Sequence, residues 1–228
     1  MKMFSKKEII PISLIVFTIL VSVFLYSSLP DKVPSHWNIK GEVDAWSSKN
    51  FTVLFYPCLT LGIYLLMTFI PLIDPLRRNY LKFTATYFWF RTVLVFFFVL
   101  LYLYTLWSAL GEALNINYFI MPAISLLFIV IGIFIPKMKK NYFVGIRTPW
   151  TIHSEEVWNK THQFGGKFFI VAGLIALCSL FFPEHSFPIV ITTILVATFI
   201  PVIYSYFVFR KIGGFNQEGN YLKGQEKN

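Results

Sequence analysis

The chain has 228 residues, of which 56% are hydrophobic and only 14% are charged. That balance excludes an ordinary soluble domain and identifies an integral membrane protein. The formal net charge of +9 does not indicate direct nucleic-acid binding, because the cations lie between apolar runs, where membrane-anchoring charges sit.

The first apolar run, Ile9 to Leu29, follows Lys2, Lys6 and Lys7. It is longer than the apolar core of a signal peptide and lacks a small-residue cleavage site, so it is expected to stay as a membrane span. About 20 residues rising ~1.5 Å each match the hydrocarbon thickness of a bilayer. Pro30 and Pro34 end this run, and the polar interval Asp31 to Lys49 follows. Within it, Val33 to Asn38 reads as an extended segment, Lys40-Gly41 as a turn and Glu42 to Trp46 as a return, which together make a small hairpin.

Further spans are expected over Phe51 to Ile73, Thr92 to Leu110, Asn117 to Ile135, Phe168 to Phe182 and Phe187 to Phe209, the last two joined by a tight turn at Pro183-Glu184-His185-Ser186. The least certain start is the third, because Tyr87 to Phe90 fits either the interface or the span. Cys58 and Cys178 fall inside apolar runs and read as small buried apolar residues. No Asp, Glu, Lys, Arg or His lies within the six runs so bounded, which disfavours a pump or proton-coupled carrier.

Between the fourth and fifth runs lies the longest polar interval of the second half, Gly145 to Gly166. Gly145 permits a turn, Pro149 pushes Thr148 toward an extended conformation, and Ser154 stands as a helix N-cap with Glu155 and Glu156 in the first turn. Val157, Trp158, Thr161 and Phe164 then share one face, and Gly165-Gly166 is expected to end a short helix lying along the membrane surface. Arg147 precedes that helix with a donor fork suited to phosphate or carboxylate.

Lysine and arginine counts set the orientation. Seventeen lie on the side holding both termini and the Gly145 to Gly166 interval, against three in Asp31 to Lys49, so the termini and the central loop are expected in the cytoplasm and the hairpin outside. The expected fold is an all-α integral membrane protein of six transmembrane helices with a small extracellular loop domain and an interfacial cytoplasmic helix. Its units are a two-span segment over 1–75 carrying the outer loop at 30–50, a central pair over 76–136, a third unit over 137–210 and a mobile cytoplasmic tail over 211–228.

His36 with Asp31, Glu42 and Asp44 has the residue types of a metal site, but the spacing matches no metal motif. No metal or cofactor is expected. No pattern assembles a nucleophile with a base and an orienting group, so the reading is not an enzyme. A small-solute transporter and a protein of general envelope function are the rivals; Thr52, Thr60, Thr68, Ser125, Thr192, Thr193, Thr198 and Ser205 are the residues that would line a transport path, although such hydroxyls more often pack helices.

The outer run from Pro30 through Val33, Pro34, His36, Trp37, Asn38, Gly41, Glu42, Asp44 and Trp46 to Ser48-Lys49 resembles a bacterial membrane-protein domain of unknown function. The run Gly145-Ile146-Arg147-Thr148-Pro149-Trp150-Thr151, followed by Glu156, Trp158, Thr161, His162 and Gly165, resembles the signature of the SdpI family. The resemblance implies an immunity protein of Gram-positive cells that neutralises a secreted peptide toxin and signals by holding a cytoplasmic ArsR-like repressor at the membrane. On that implication Arg147, Thr148, Pro149, Trp150, Glu156 and Trp158 form a cytoplasmic partner surface, and His36, Trp37, Asn38, Glu42 and Asp44 form an outer ligand surface.

Overall fold

The computed structural model describes residues 6–111, 115–182 and 185–213. The expected tail from 214 onward, and Pro183 and Glu184 of the expected tight turn, lie outside these residues. The elements in order are α1 (Ile9–Leu25), β1 (Lys32–Trp37), β2 (Val43–Ser48), α2 (Lys49–Ile73), α3 (Thr84–Ala109), α4 (Asn117–Phe134), α5 (Pro149–His153), α6 (Glu155–Cys178) and α7 (Ser186–Lys211). Six helices are long and apolar enough to cross a membrane, all but α5. This is an all-α, multi-pass membrane protein with one two-stranded antiparallel sheet.

The six long helices alternate in direction, so the β1–β2 hairpin shares one end of the bundle with the α3–α4 and α6–α7 connections. Residues 74–83 and the 135–154 segment occupy the other end. The hairpin forms as its residues dictate: Lys32 pairs with Ser48, Val33 with Ser47 and Trp37 with Val43, and Gly41 takes the left-handed conformation of the turn at φ 80°. The backbone N–H of Lys49 donates to the Asp31 carbonyl at 3.0 Å, and Ser48 caps α2 by accepting from the Phe51 N–H at 3.2 Å. Val33 is fully buried, and the Trp37 ring lies 5.9 Å from that of Tyr104 on α3, which seats the hairpin on the bundle.

Helices α1, α2 and α3 pack on one another, and α6 packs most extensively against α4 and α7. The first group is joined by aromatic rings and a buried ion pair. The third span begins at Thr84, earlier than expected, so Tyr87 to Phe90 are helical and Arg91 lies inside α3. This corrects the reading that the spans hold no ionisable group. Arg91 Nη2 donates to both carboxylate oxygens of Glu8 at 2.6 and 2.7 Å, and Nη1 donates to Thr68 Oγ1 on α2 at 2.7 Å. Tyr64 donates its hydroxyl proton to Glu8 Oε2 at 3.0 Å, and its ring lies under the guanidinium, 4.9 Å from centroid to Cζ. One cation thus joins the start of α1 to α2 and α3.

The second group packs through glycine. A Cβ on Gly132 would stand 2.6 Å from the Gly166 carbonyl oxygen, and one on Gly173 would stand 2.6 Å from the Ser125 carbonyl oxygen. Helices α4 and α6 therefore approach as closely as small residues allow. This overturns the expected short interfacial helix: Gly165-Gly166 do not terminate a helix but lie in the interior of a continuous α6, where they face α4 and α7. A glycine pair stops a helix when a left-handed residue is needed, but in a membrane it serves equally as a contact surface. Cys58 and Cys178 are exposed on the outward faces of α2 and α6, not buried as expected, because the lipid-facing side of a span is itself apolar.

Gly166→Leu should force α4 and α6 apart and cost about 1–3 kcal/mol or more, seen as a lower thermal unfolding temperature in detergent. Arg91→Met should cost about 3–5 kcal/mol by leaving the Glu8 carboxylate buried and unpaired, and pairing it with Glu8→Gln should recover a large part of that loss in the same assay.

Candidate functional site

The polar interval after α4 is built by side chains that satisfy its backbone. Asn141, fully buried, accepts at Oδ1 from the backbone N–H of Phe143 and Val144 at 2.9 and 2.7 Å and donates from Nδ2 to the carbonyls of Lys139 and Val144, each at 2.9 Å. Asp74, which follows α2, accepts from the Tyr142 N–H at 2.9 Å, and Tyr80 presents its hydroxyl to both Asp74 Oδ2 at 3.1 Å and Asn141 Oδ1 at 3.2 Å. Burial first, and the neighbouring Asp74 carboxylate next, push the Tyr80 hydroxyl well above its ordinary pKa, so it stays protonated as a donor. Asn79 adds a bond from Nδ2 to the Lys140 carbonyl at 2.7 Å. The loop is thereby fastened to the α2–α3 connection.

From the other side α6 fastens it again. Trp158, wholly buried, donates from Nε1 to the Met138 carbonyl at 2.9 Å. One turn later His162 stacks on that ring at 3.9 Å between centroids. His162 Nδ1 lies 2.7 Å from the Trp158 carbonyl and Nε2 accepts from the Ile146 N–H at 3.1 Å. A carbonyl needs a donor and an N–H needs an acceptor, so these two neighbours fix the neutral Nδ1–H tautomer. Gly145, at φ +112°, passes so close to the imidazole that a Cβ there would collide with Nε2. Thr148 and Thr151 complete the loop with a reciprocal cap over α5, Thr151 Oγ1 donates to the Ile146 carbonyl at 2.9 Å, and Thr148 meets Ser205 of α7 at 3.0 Å. Ser154 caps α6 by accepting from the Val157 N–H, and Thr148 is extended ahead of Pro149, both as their residue types require.

The six residues expected to form a partner surface therefore divide. Arg147, Pro149 and Glu156 are exposed and Trp150 is half-buried with its ring edge-on to Tyr206. Thr148 and Trp158 are buried and hold the loop's backbone. Arg147 donates from Nη1 to the Tyr142 carbonyl at 2.7 Å, and Glu156 pairs with Lys160 at 2.6 Å.

A family model described as the SdpI/YfhL protein family matches residues 137–205, and one for a domain of unknown function, DUF1648, matches residues 13–61. The chain is also 30% identical over 210 residues to the immunity protein SdpI of Bacillus subtilis strain 168, covering 92% of this chain and 99% of that one. The chain belongs to the SdpI family. No solved structure matches it. The SdpI/YfhL match begins at Lys137 and so takes in nearly all of the loop, its anchors on α6 and the Ser205 contact on α7; the second match takes in most of α1, the hairpin and the first half of α2.

At the hairpin end of this SdpI-family chain, the outer candidates form pairs. His36 Nδ1 lies 2.6 Å from Asp44 Oδ1 across the strands, and Asn38 Nδ2 donates to Glu42 Oε2 at 3.0 Å. Asn38 Oδ1 also accepts from the backbone N–H of Lys40 and Glu42, shaping the turn. The tip then crosses to the other helix group: Asn115 Nδ2 donates to the Lys40 carbonyl at 2.6 Å and Asn117 Nδ2 to the Ile39 carbonyl at 3.2 Å. Trp37 is half-buried against α3, while His36, Glu42 and Asp44 are exposed.

Sequence reading missed Asp74, Asn115 and Asn117, because they hold backbone groups distant in sequence, and Tyr80 and Asn141, because their side chains meet only in the fold. His162, named only within the family signature, stands four residues from Trp158, a spacing that signals a ring stacked on the same helix face. The Thr and Ser residues that would line a transport path mostly donate to carbonyls of their own helices, as Thr60 does to Tyr56 at 2.7 Å and Ser125 to Met121 at 2.7 Å.

His162→Phe should keep the ring stack but leave the Ile146 N–H unpaired, costing about 1–3 kcal/mol, with faster proteolysis of the 138–148 segment as its local signature.

Proposed function

We propose that this protein is a membrane immunity protein that binds a secreted, membrane-active peptide at its hairpin end and reports that binding through the loop at the opposite end. The similarity over nearly the full length of both chains to the Bacillus subtilis immunity protein carries this reading. It is supported by a hairpin that presents His36, Glu42 and Asp44 to solvent around a seated Trp37, a polar and aromatic surface suited to a peptide. The distribution of lysine and arginine supports a hairpin facing outward and a loop facing the cytoplasm.

The packing supplies a route between the two surfaces. The hairpin tip is bonded to the start of α4, α4 lies against α6 through glycine contacts, and α6 carries the Trp158 and His162 rings that hold the loop. A peptide that displaces the tip would shift α4, and close-packed helices pass such shifts on as changes of position. At the loop, Arg147, Pro149, Trp150 and Glu156 are the residues offered to a cytoplasmic ArsR-like repressor, with Thr148 and Trp158 holding them in place.

Expressed in a toxin-sensitive Gram-positive strain, the wild type should protect against the secreted peptide. Asp44→Lys should reduce protection by at least roughly ten-fold in toxin dose, the equivalent of ~1.4 kcal/mol, at unchanged membrane abundance. Trp150→Ala with Glu156→Lys should keep protection but release a fluorescently tagged repressor from the membrane. Absence of protection by well-expressed wild type would sink the immunity reading.

A further inference from the structure

Beneath the loop, at the end of the bundle that carries most of the lysine and arginine, a cleft of about 370 Å³ opens between the two helix groups. Its walls come from four spans, with Phe90 on α3, Ile131 on α4, Phe169 on α6 and Thr198 and Val202 on α7, and Ile135 just past α4, Met138 and residues 144–147 close it above. Thr198, whose hydroxyl donates to the Ile194 carbonyl of its own helix, lies about thirteen residues before the end of α7 at Lys211, so the cleft reaches roughly 20 Å into the span at the ~1.5 Å rise of a helix. A molecule entering there must be soluble in hydrocarbon along most of its length.

The lining contains one charged residue among those described, Arg147, and it is exposed. Among the described residues its guanidinium is engaged at Nη1, by the Tyr142 carbonyl, which anchors the group. Of the carboxylates at this end, Asp74 accepts from the Tyr142 and Leu76 N–H groups, Glu8 pairs with Arg91 and Glu156 with Lys160, while Glu155 is exposed on the first turn of α6 and does not line the cleft. Exposed Arg77, Arg78 and Lys137 add positive charge at the same end. Apolar walls beneath a held guanidinium, at a cationic membrane interface, are complementary to a lipid with an anionic headgroup.

We propose that this cleft is a binding site for one anionic phospholipid, its acyl chain between α3, α4, α6 and α7 and its phosphate on Arg147. A zwitterionic lipid has the same chain but brings its own cation to the guanidinium, so the site selects by headgroup charge. Because the loop that roofs the cleft also carries Trp150, an occupied site would brace the loop from below. The lipid site stands whether or not the protein confers immunity.

The test is native mass spectrometry of the full chain purified in detergent and titrated with phosphatidylglycerol or phosphatidylcholine of identical chains, with glycerol 3-phosphate as a soluble competitor. The expected result is retention of one phosphatidylglycerol at concentrations where phosphatidylcholine is lost. Arg147→Gln should weaken retention about ten-fold, Val202→Trp should do so by filling the cleft, and Lys82→Gln, which removes a charge at the same end away from the cleft, should change nothing. Equal retention of the two lipids, or equal effects of Arg147→Gln and Lys82→Gln, would overturn the site in favour of general attraction to a cationic surface. Full competition by glycerol 3-phosphate would overturn it in favour of free phosphate. If Val202→Trp does not fold, the comparison of Arg147→Gln with Lys82→Gln still decides.

Discussion

The loop between α4 and α6 keeps one shape because α6 reaches back to hold its backbone. Near a membrane a turn of chain has few waters to satisfy its N–H and carbonyl groups, and each group left unpaired is expensive. Here the indole of Trp158 takes the Met138 carbonyl, the imidazole of His162 takes the Ile146 N–H, and Asn141 takes four further backbone groups. The polar residues of this segment are therefore mostly spent on folding it. Of the candidate partner residues, Arg147, Pro149 and Glu156 remain exposed, beside Tyr142, His153 and Glu155.

Two different chemistries hold the two helix groups. Around Arg91 of α3 the first group meets a buried charge with the Glu8 carboxylate at the start of α1 and with the Thr68 hydroxyl and Tyr64 ring of α2, while the buried Nε has no partner among the described residues. Such a pair adds little net stability over apolar packing, but it tolerates only one arrangement of the helices that supply it. The second group brings α4 and α6 together over glycine, which depends on shape alone. The groups meet through side-chain to backbone bonds at both ends, Asn115 and Asn117 on the hairpin tip and Asp74 and Asn79 on the loop. An end-to-end clamp of this kind lets one group shift against the other only as a unit.

Much of this was legible in the residues. Apolar runs of bilayer length announced six spans, and the Lys40-Gly41 turn between two short segments announced the hairpin, because both signals are local. Three features were misread or hidden. Arg91 was placed before its span because a charge ordinarily marks the end of an apolar run, and only the position of Glu8 on a different helix makes an interior charge tolerable. Gly165-Gly166 read as a helix end because the neighbours that need them small, Ile146 and Pro201 for Gly165 and Gly132 and Pro136 for Gly166, are distant in sequence. Trp158 has the composition of an interfacial contact residue, and nothing local reveals that its indole faces inward to Met138.

The ion pair inside the first group bears on what kind of protein this is. An ionisable residue within a span commonly marks a proton or ion path, and such a path needs donors and acceptors that exchange partners. At Arg91 both terminal nitrogens are committed, to Glu8 and to Thr68, and Glu8 in turn accepts from Tyr64. The carboxylate sits at the very start of α1 and the arginine in the second turn of α3, so the pair lies at the rim of the bundle and reaches no deeper. Its geometry is that of a bolt across three helix ends. The exposed polar side chains of the candidate surfaces lie at the two ends, on the hairpin and on the loop, and the clamped helices between them couple one end to the other.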